Sequence, residues 1–217
     1  SIAAAVVTRR QVNADSGFQE WAGRLDQKIT EIFAVQDEIT NSIVTELQLK
    51  LTPKEKKRMA QRMTNNLTAY KHFREGQRLG QISSRQSNLL AQDAYRRAIE
   101  EDPSYGRAYG ALAFNLAFSY RRGWSDAPML TLDRALELAK KAVELDSSVP
   151  QTHWSLGYVH FMRKEYVEAE AAANQSVAIA PNYADGYGLL ARINNSLGNA
   201  ETVIRLINKG MELNPFF

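Results

Sequence analysis

IEEDPSY (99–105), VELDSSV (143–149), VAIAPNY (177–183) and MELNPFF (211–217) close four helix-like stretches in the same way. In each, an amphipathic run meets Asp, Ala or Asn, then Pro or Ser, and two residues later Tyr, Val or Phe. Pro181 and Pro215 stand 34 residues apart. A period of that length reads as one repeat of two antiparallel helices. Working outward from the closings gives four units, 69–105, 106–149, 150–183 and 184–217, of 37, 44, 34 and 34 residues. Small residues recur inside them at seven-residue steps: Ala91 and Ala98, Ala135 and Ala142, Ala169 and Ser176, Val203 and Gly210. Small side chains are needed where two helices cross closely. The expected class is all-α, a solenoid of helix-turn-helix repeats.

Further positions fall in register. In 150–183, Leu156-Gly157 is a helix-contact pair, Tyr166 opens the second helix, and Ala169 and Ala173 are small. In 184–217, Leu190-Ala191 repeats the pair and Gly198 marks the turn. The pattern resembles the tetratricopeptide (TPR) family, whose arrays hold other proteins. Two units depart from the period. The longer is expected to carry its surplus around RRGWSDAP (121–128), and Ser147 in place of proline makes its boundary softer.

Composition fits a water-soluble globular chain, 44% hydrophobic and 24% charged. No apolar run reaches the roughly 20 residues needed to span a bilayer, and SIAAAVVTRR is too short for a signal peptide. The absence of cysteine excludes disulfides and thiol chemistry. It agrees with a cytoplasmic location and leaves the periplasm open. A net charge of +3 is too weak to imply nucleic acid.

The first 68 residues read differently. IAAAVVTRRQV (2–12), the turn cluster NADSG (13–17) and FQEWAGRL (18–25) suggest a β-hairpin, marginal in isolation and so expected to be the remnant of a preceding domain at 1–28. Connecting helices are expected over 29–68. Ile32, Val35, Ile39, Ile43 and Leu47 form one apolar stripe. Thr52-Pro53-Lys54-Glu55 is a capping box. The helix it opens, with Lys50 just before it, carries Lys54, Lys56, Lys57, Arg58 and Arg62. That patch is either a solvated face or a surface for an acidic partner, anionic lipid or nucleic acid.

Asp15, Gly17 and Trp21, then IFAVQDEIT (32–40) and NNLTAYKHFREGQ (65–77), resemble the junction at the end of a TolB-like domain ahead of TPR repeats. That junction occurs in bacterial class III adenylate/guanylate cyclases and in some winged-helix transcriptional regulators. Asn13 and Glu20 depart from its pattern. The resemblance implies a regulatory region whose output domain lies outside this stretch.

No phosphate-cradling glycine motif appears. His153 and His160 are seven apart, not the close pair of a zinc site, and all three histidines, His72 included, read as structural. No catalytic residue, metal or cofactor is expected. In TPR proteins the first helix of each unit lines a concave groove. Carried onto this chain, the groove positions are Tyr70, Phe73 and Gln77; Arg107, Phe114 and Phe118; Gln151, Trp154, Tyr158, Phe161 and Met162; and Asp185, Arg192 and Asn195. The Lys/Asn clamp for a peptide's terminal carboxylate is absent. Aromatic anchors suit an apolar or amphipathic helix, with residues 30–49 of this chain one candidate. On the last predicted helix Val203, Ile204, Ile207 and Met211, followed by Phe216 and Phe217, form an expected interface. It would serve a homodimer or a continuing array.

Overall fold

The computed structural model describes residues 64–214 and the backbone of 11–13 and 17–19. The chain divides into two compact units, 1–62 and 63–217. In the first, β1 (Gln11–Asn13) and β2 (Gly17–Gln19) pair antiparallel with Val12 opposite Phe18. The predicted helices over 29–63, with their apolar stripe, capping box and basic patch, lie outside the described residues, as do Phe216 and Phe217.

The second unit holds eight described helices: α1 (Leu67–Gly80), α2 (Arg85–Glu101), α3 (Gly106–Arg121), α4 (Pro128–Leu145), α5 (Pro150–Met162), α6 (Tyr166–Ile179), α7 (Ala184–Ser196) and α8 (Ala200–Leu213). They form successive hairpins, each odd-numbered helix packing on the even one after it and on the even one before it. The starts are written locally. Asn66 caps α1 by accepting from the Thr68 and Ala69 amides, and its own side-chain amide donates to the Glu101 carbonyl at 2.8 Å. Ser84 caps α2 through the Ser87 amide, and Pro128 and Pro150 stand in the first turns of α4 and α5.

All four closings are built alike. The amides of Asp102, Asp146, Ala180 and Asn214 donate back to Ala98, Ala142, Ser176 and Gly210. Asp102 Oδ1 also accepts from the Ser104 amide at 3.0 Å, and Asp146 Oδ1 from the Ser148 amide at 3.2 Å. The boundary at Ser147 is therefore not softer, because the aspartate turn is made whether or not proline follows. The 44-residue unit carries its surplus around 121–128, as expected, since α3 and α5 start in register and α4 and α6 end in register. Its turn of six residues (122–127) is three longer than the turn at 163–165, while α3 exceeds α5 by three residues and α4 exceeds α6 by four.

Three of the turns inside hairpins share one geometry. Trp124, Glu165 and Asn199 donate their amides to the carbonyls of Ser119, His160 and Asn194, closing a Schellman turn. The residue before each is left-handed: Gly123, Lys164 and Gly198, with φ of 67°, 64° and 80°. Lysine there bears strain that glycine does not. Around Lys164, Glu165 accepts from His160 Nδ1 at 2.6 Å and from Arg163 Nε at 2.8 Å, and Arg163 also reaches Asp133. Burial works to raise the Glu165 carboxyl's pKa, but these hydrogen bonds outweigh it and hold the group below its ordinary range.

The core runs along the hairpin seams. Ala91, Ala98, Ala135, Ala142, Ala169 and Ser176 are fully buried, as their seven-residue spacing requires. At Gly157 a methyl group would lie 3.1 Å from the Ala169 carbonyl oxygen and 3.2 Å from the Ala173 amide nitrogen, so α5 and α6 meet backbone to backbone. Between α2 and α3 the seam is polar. Asn88, Gln92, Asn115 and Ser119 are all buried and bonded to one another, including Asn88 Nδ2 to Asn115 Oδ1 at 3.0 Å and Gln92 Nε2 to Asn88 Oδ1 at 2.7 Å. Satisfied networks of this kind fix one register, since a slip would strand buried amides.

Candidate partner-binding groove

An aromatic track crosses α3 and α5. Trp124 meets Phe118 edge-on at 5.7 Å, Phe118 meets Phe114 at 5.9 Å, and Phe114 touches both Trp154 (5.1 Å) and Tyr158 (5.0 Å). Trp154 and Tyr158 stack at 5.5 Å with only 16° between their planes. The spacing follows from the helix: residues four apart share a face, so Phe114/Phe118 and Trp154/Tyr158 each form one step of the track. The Trp154 indole N–H donates to the Asp185 carbonyl at 3.0 Å, which ties α5 to the start of α7. Arginines border the track. The Arg121 and Arg122 guanidiniums lie 5.2 and 5.6 Å from the Phe118 ring centre, and Arg122 also covers Trp124 at 5.4 Å.

The track ends in a concavity of about 670 Å³. Trp154 and Tyr158 form one wall, α7 contributes Asp185, Leu189, Arg192 and Asn195, and α8 contributes Val203, Ile207 and Met211. Two features that are separate in the sequence, the groove positions and the terminal interface, meet here. Tyr158 is only 2% exposed, and its hydroxyl has no hydrogen-bond partner among the described residues. Burial raises its pKa, an effect that the Arg121 and Arg192 charges oppose.

Other expected positions fall elsewhere. Phe73 is a correction: it is 2% exposed and packs on Tyr95 (5.7 Å) and Tyr105 (5.0 Å), so it belongs to the core. Arg107 lies over its ring at 5.3 Å. Tyr70 and Gln77 are partly buried on α1, where Gln77 accepts from Arg74. Gln151 is half-buried at the start of α5, away from the track's ring contacts. Phe161 and Met162 pack against the core at the α5–α6 turn, with Phe161 6.0 Å from Tyr166. Ile204 does not line the concavity. It is 63% exposed and borders a second depression with Tyr187, Arg205 and Lys209. Two of the histidines are hydrogen-bonded: His153 Nε2 to the Ser147 carbonyl and His160 Nδ1 to Glu165.

Four residues of the site, Arg121, Arg122, Trp124 and Leu189, lie outside the expected set. The first three sit where α3 gives way to the long turn, where helical periodicity stops placing side chains, and Leu189 lies inside α7.

No family model matches the chain. Two of the solved structures that share its fold are TPR-type proteins of bacteria. A thermophilic TPR protein of Thermus thermophilus, TTC0263, superposes with a TM-score of 0.56 at 17% identity, covering 87% of this chain and 89% of that one. PilF of Pseudomonas aeruginosa superposes at 0.54 with 20% identity, covering 68% and 62%. The fold is thus that of a TPR α-solenoid. A Rhizobium meliloti (strain 1021) protein, named provisionally as adenylate cyclase 3, is 32% identical over 167 residues, which is 76% of this chain. The chain spans only 28% of the length of that curated relative. Among the described residues no helix is long and apolar enough to cross a membrane.

Proposed function

We propose that this chain is a non-catalytic interaction module that regulates or localises a signalling domain in a bacterium, in the cytoplasm. It holds a protein or peptide segment, an apolar or amphipathic helix, along the aromatic track. The observation that carries this reading is the track itself, five rings in contact that end in a concavity where Val203, Ile207 and Met211 form the facing side. Aromatic anchors in such a setting dominate recognition energetics. A TPR solenoid supports a scaffold more readily than a reaction centre. The likeness to the Rhizobium meliloti protein favours the TPR region of an adenylate/guanylate cyclase, with the end of a TolB-like domain before it, over the winged-helix alternative. The test compares wild-type chain with Trp154→Ala in pull-downs read by mass spectrometry, with circular dichroism confirming the fold. One partner should be retained by the wild type and lost from the variant. Equal retention would remove the groove from the function.

A further inference from the structure

We propose that the concavity receives a side-chain carboxylate of an amphipathic partner segment, held by the Tyr158 hydroxyl together with the Arg192 guanidinium, with Arg121 at the edge of the track beside Phe118. This rests on the groove reading and adds one charged contact at a defined place. Tyr158 supplies the first argument. A buried hydroxyl without a partner is unfavourable, and buried polar groups are nearly always bonded. The other such hydroxyl among the described residues, on Tyr105, lies in the closed core against Phe73, whereas Tyr158 lines an opening. The buried side chain of Asn194 shows the normal condition, donating to the Leu190 carbonyl and to Glu170.

The second argument is charge. Arg78, Arg85, Arg97 and Arg163 each pair with a carboxylate. Arg121 and Arg192 pair with none among the described residues, and both are exposed, one on each side of α5. Asp185 is the one acidic residue of the lining, and it stands two turns, about 10 Å, from Arg192 along α7. The concavity therefore offers the Tyr158 hydroxyl and the Arg192 guanidinium as donors, with no carboxylate paired to either among the described residues. A carboxylate has only acceptors and takes charge-assisted bonds from phenol and guanidinium alike. The hydroxyl is buried, so the contact requires a side chain of the lining to move aside.

Position selects a side chain over a chain end. The Phe114–Phe118–Trp124 ridge extends on the α3 side of Tyr158, and Val203, Ile207 and Met211 extend on the α8 side. A segment covering both apolar surfaces passes over Tyr158 in mid-length.

The test uses three synthetic 18-residue amphipathic peptides with one shared apolar face. The first has Glu at its centre with an amidated end, the second Gln with an amidated end, and the third Gln with a free terminal carboxylate. Affinity for the full chain is read by fluorescence anisotropy. The Glu peptide should bind about tenfold tighter than the amidated Gln peptide. That ratio should fall to near one in Arg192→Gln and in Tyr158→Phe. Tyr158→Phe should melt no lower than wild type, a result that a purely structural hydroxyl would not give. Equal binding of Glu and Gln peptides, or a Glu advantage surviving both substitutions, overturns the proposal and leaves the groove standing. A preference for the free terminus overturns the side-chain assignment. Displacement of the Glu peptide by a single-stranded oligonucleotide, lost on Arg192→Gln, assigns the arginines to nucleic acid instead and also overturns it. If none of the peptides binds, or Trp154→Ala binds the Gln peptide as well as wild type does, the groove reading fails first.

Discussion

Helices α6 and α8 are both 14 residues long and hold the same place in successive hairpins, 34 positions apart. Their surroundings are opposite. Along α6 the seam residues are Ala169, Ala173 and Ser176, all fully buried. The next first helix lies so close that a methyl on Gly186 would come within 2.6 Å of Val177 Cγ1. On α8 the equivalent positions are Val203, Ile207 and Gly210, and Ile207 and Met211 are 38% and 51% exposed. Where another helix covers the face, small residues let backbones approach. Where the described structure leaves it open, larger aliphatic side chains stand up and become the wall of the concavity. One repeat pattern thus produces a seam in one place and a binding surface in the next.

The largest expected effect comes from alkali and falls on the covered seams. Burial pushes the Tyr95 phenol up to about 12 and raises Tyr105, Tyr158 and Tyr183 as well. Each folded pKa lies above the unfolded value of 10.0, so the folded state favours the protonated phenol. Stability is then full below about pH 10 and falls as pH rises through the folded values, by about 1.4 kcal/mol per pH unit for each tyrosine. Urea unfolding measured across about pH 9 to 12 should show a flat region followed by a steep decline. A midpoint constant across that range would contradict the burial of these rings.

Next in size is a substitution that treats the covered face as if it were open. Ala173→Ile places a residue native to α8 into the α5–α6 seam and should cost about 3 kcal/mol. The reciprocal Ile207→Ala removes a half-exposed side chain and should cost about 1 kcal/mol or less. Comparable losses from both in chemical denaturation would break the distinction between the faces. Hydrogen exchange offers a reading without substitution: central amides of α8 should exchange at least about tenfold faster than those of α6, because partly covered elements open more readily. The smallest effect tests the turns. Lys164→Gly should stabilise by about 1 kcal/mol and Gly198→Ala should destabilise by a similar amount, since both positions are left-handed. Thermal melting resolves the two signs.

Much of the fold was legible because it depends on local signals. The closings, the seven-residue alanine steps and the turn glycines each report on their own few residues, and the helices stand where those signals placed them. What was not legible depends on neighbours distant in sequence. Phe73 follows the same pattern as a groove residue, and only Tyr95 and Tyr105, brought in by other helices, turn it into core. Trp124 joins the aromatic track from a turn, where no periodicity assigns direction. Asn88, Gln92 and Asn115 look like surface residues until each is seen to satisfy another across a seam. The groove positions divided for the same reason: helical spacing fixes a face of one helix, and the partner of that face is chosen by packing.

The polar seam between α2 and α3 limits how this array can be rearranged. Solenoid repeats are commonly treated as interchangeable, so that a unit can be duplicated, deleted or borrowed without changing its neighbours. That freedom holds where a joint is lined by alanine, because any small residue accepts any other. It does not hold at the joint of Asn88, Gln92, Asn115 and Ser119, where each side chain completes the hydrogen bonding of one specific neighbour. The first two hairpins must therefore be inherited, transplanted or lost as a pair, while the array can diversify more freely towards α7 and α8.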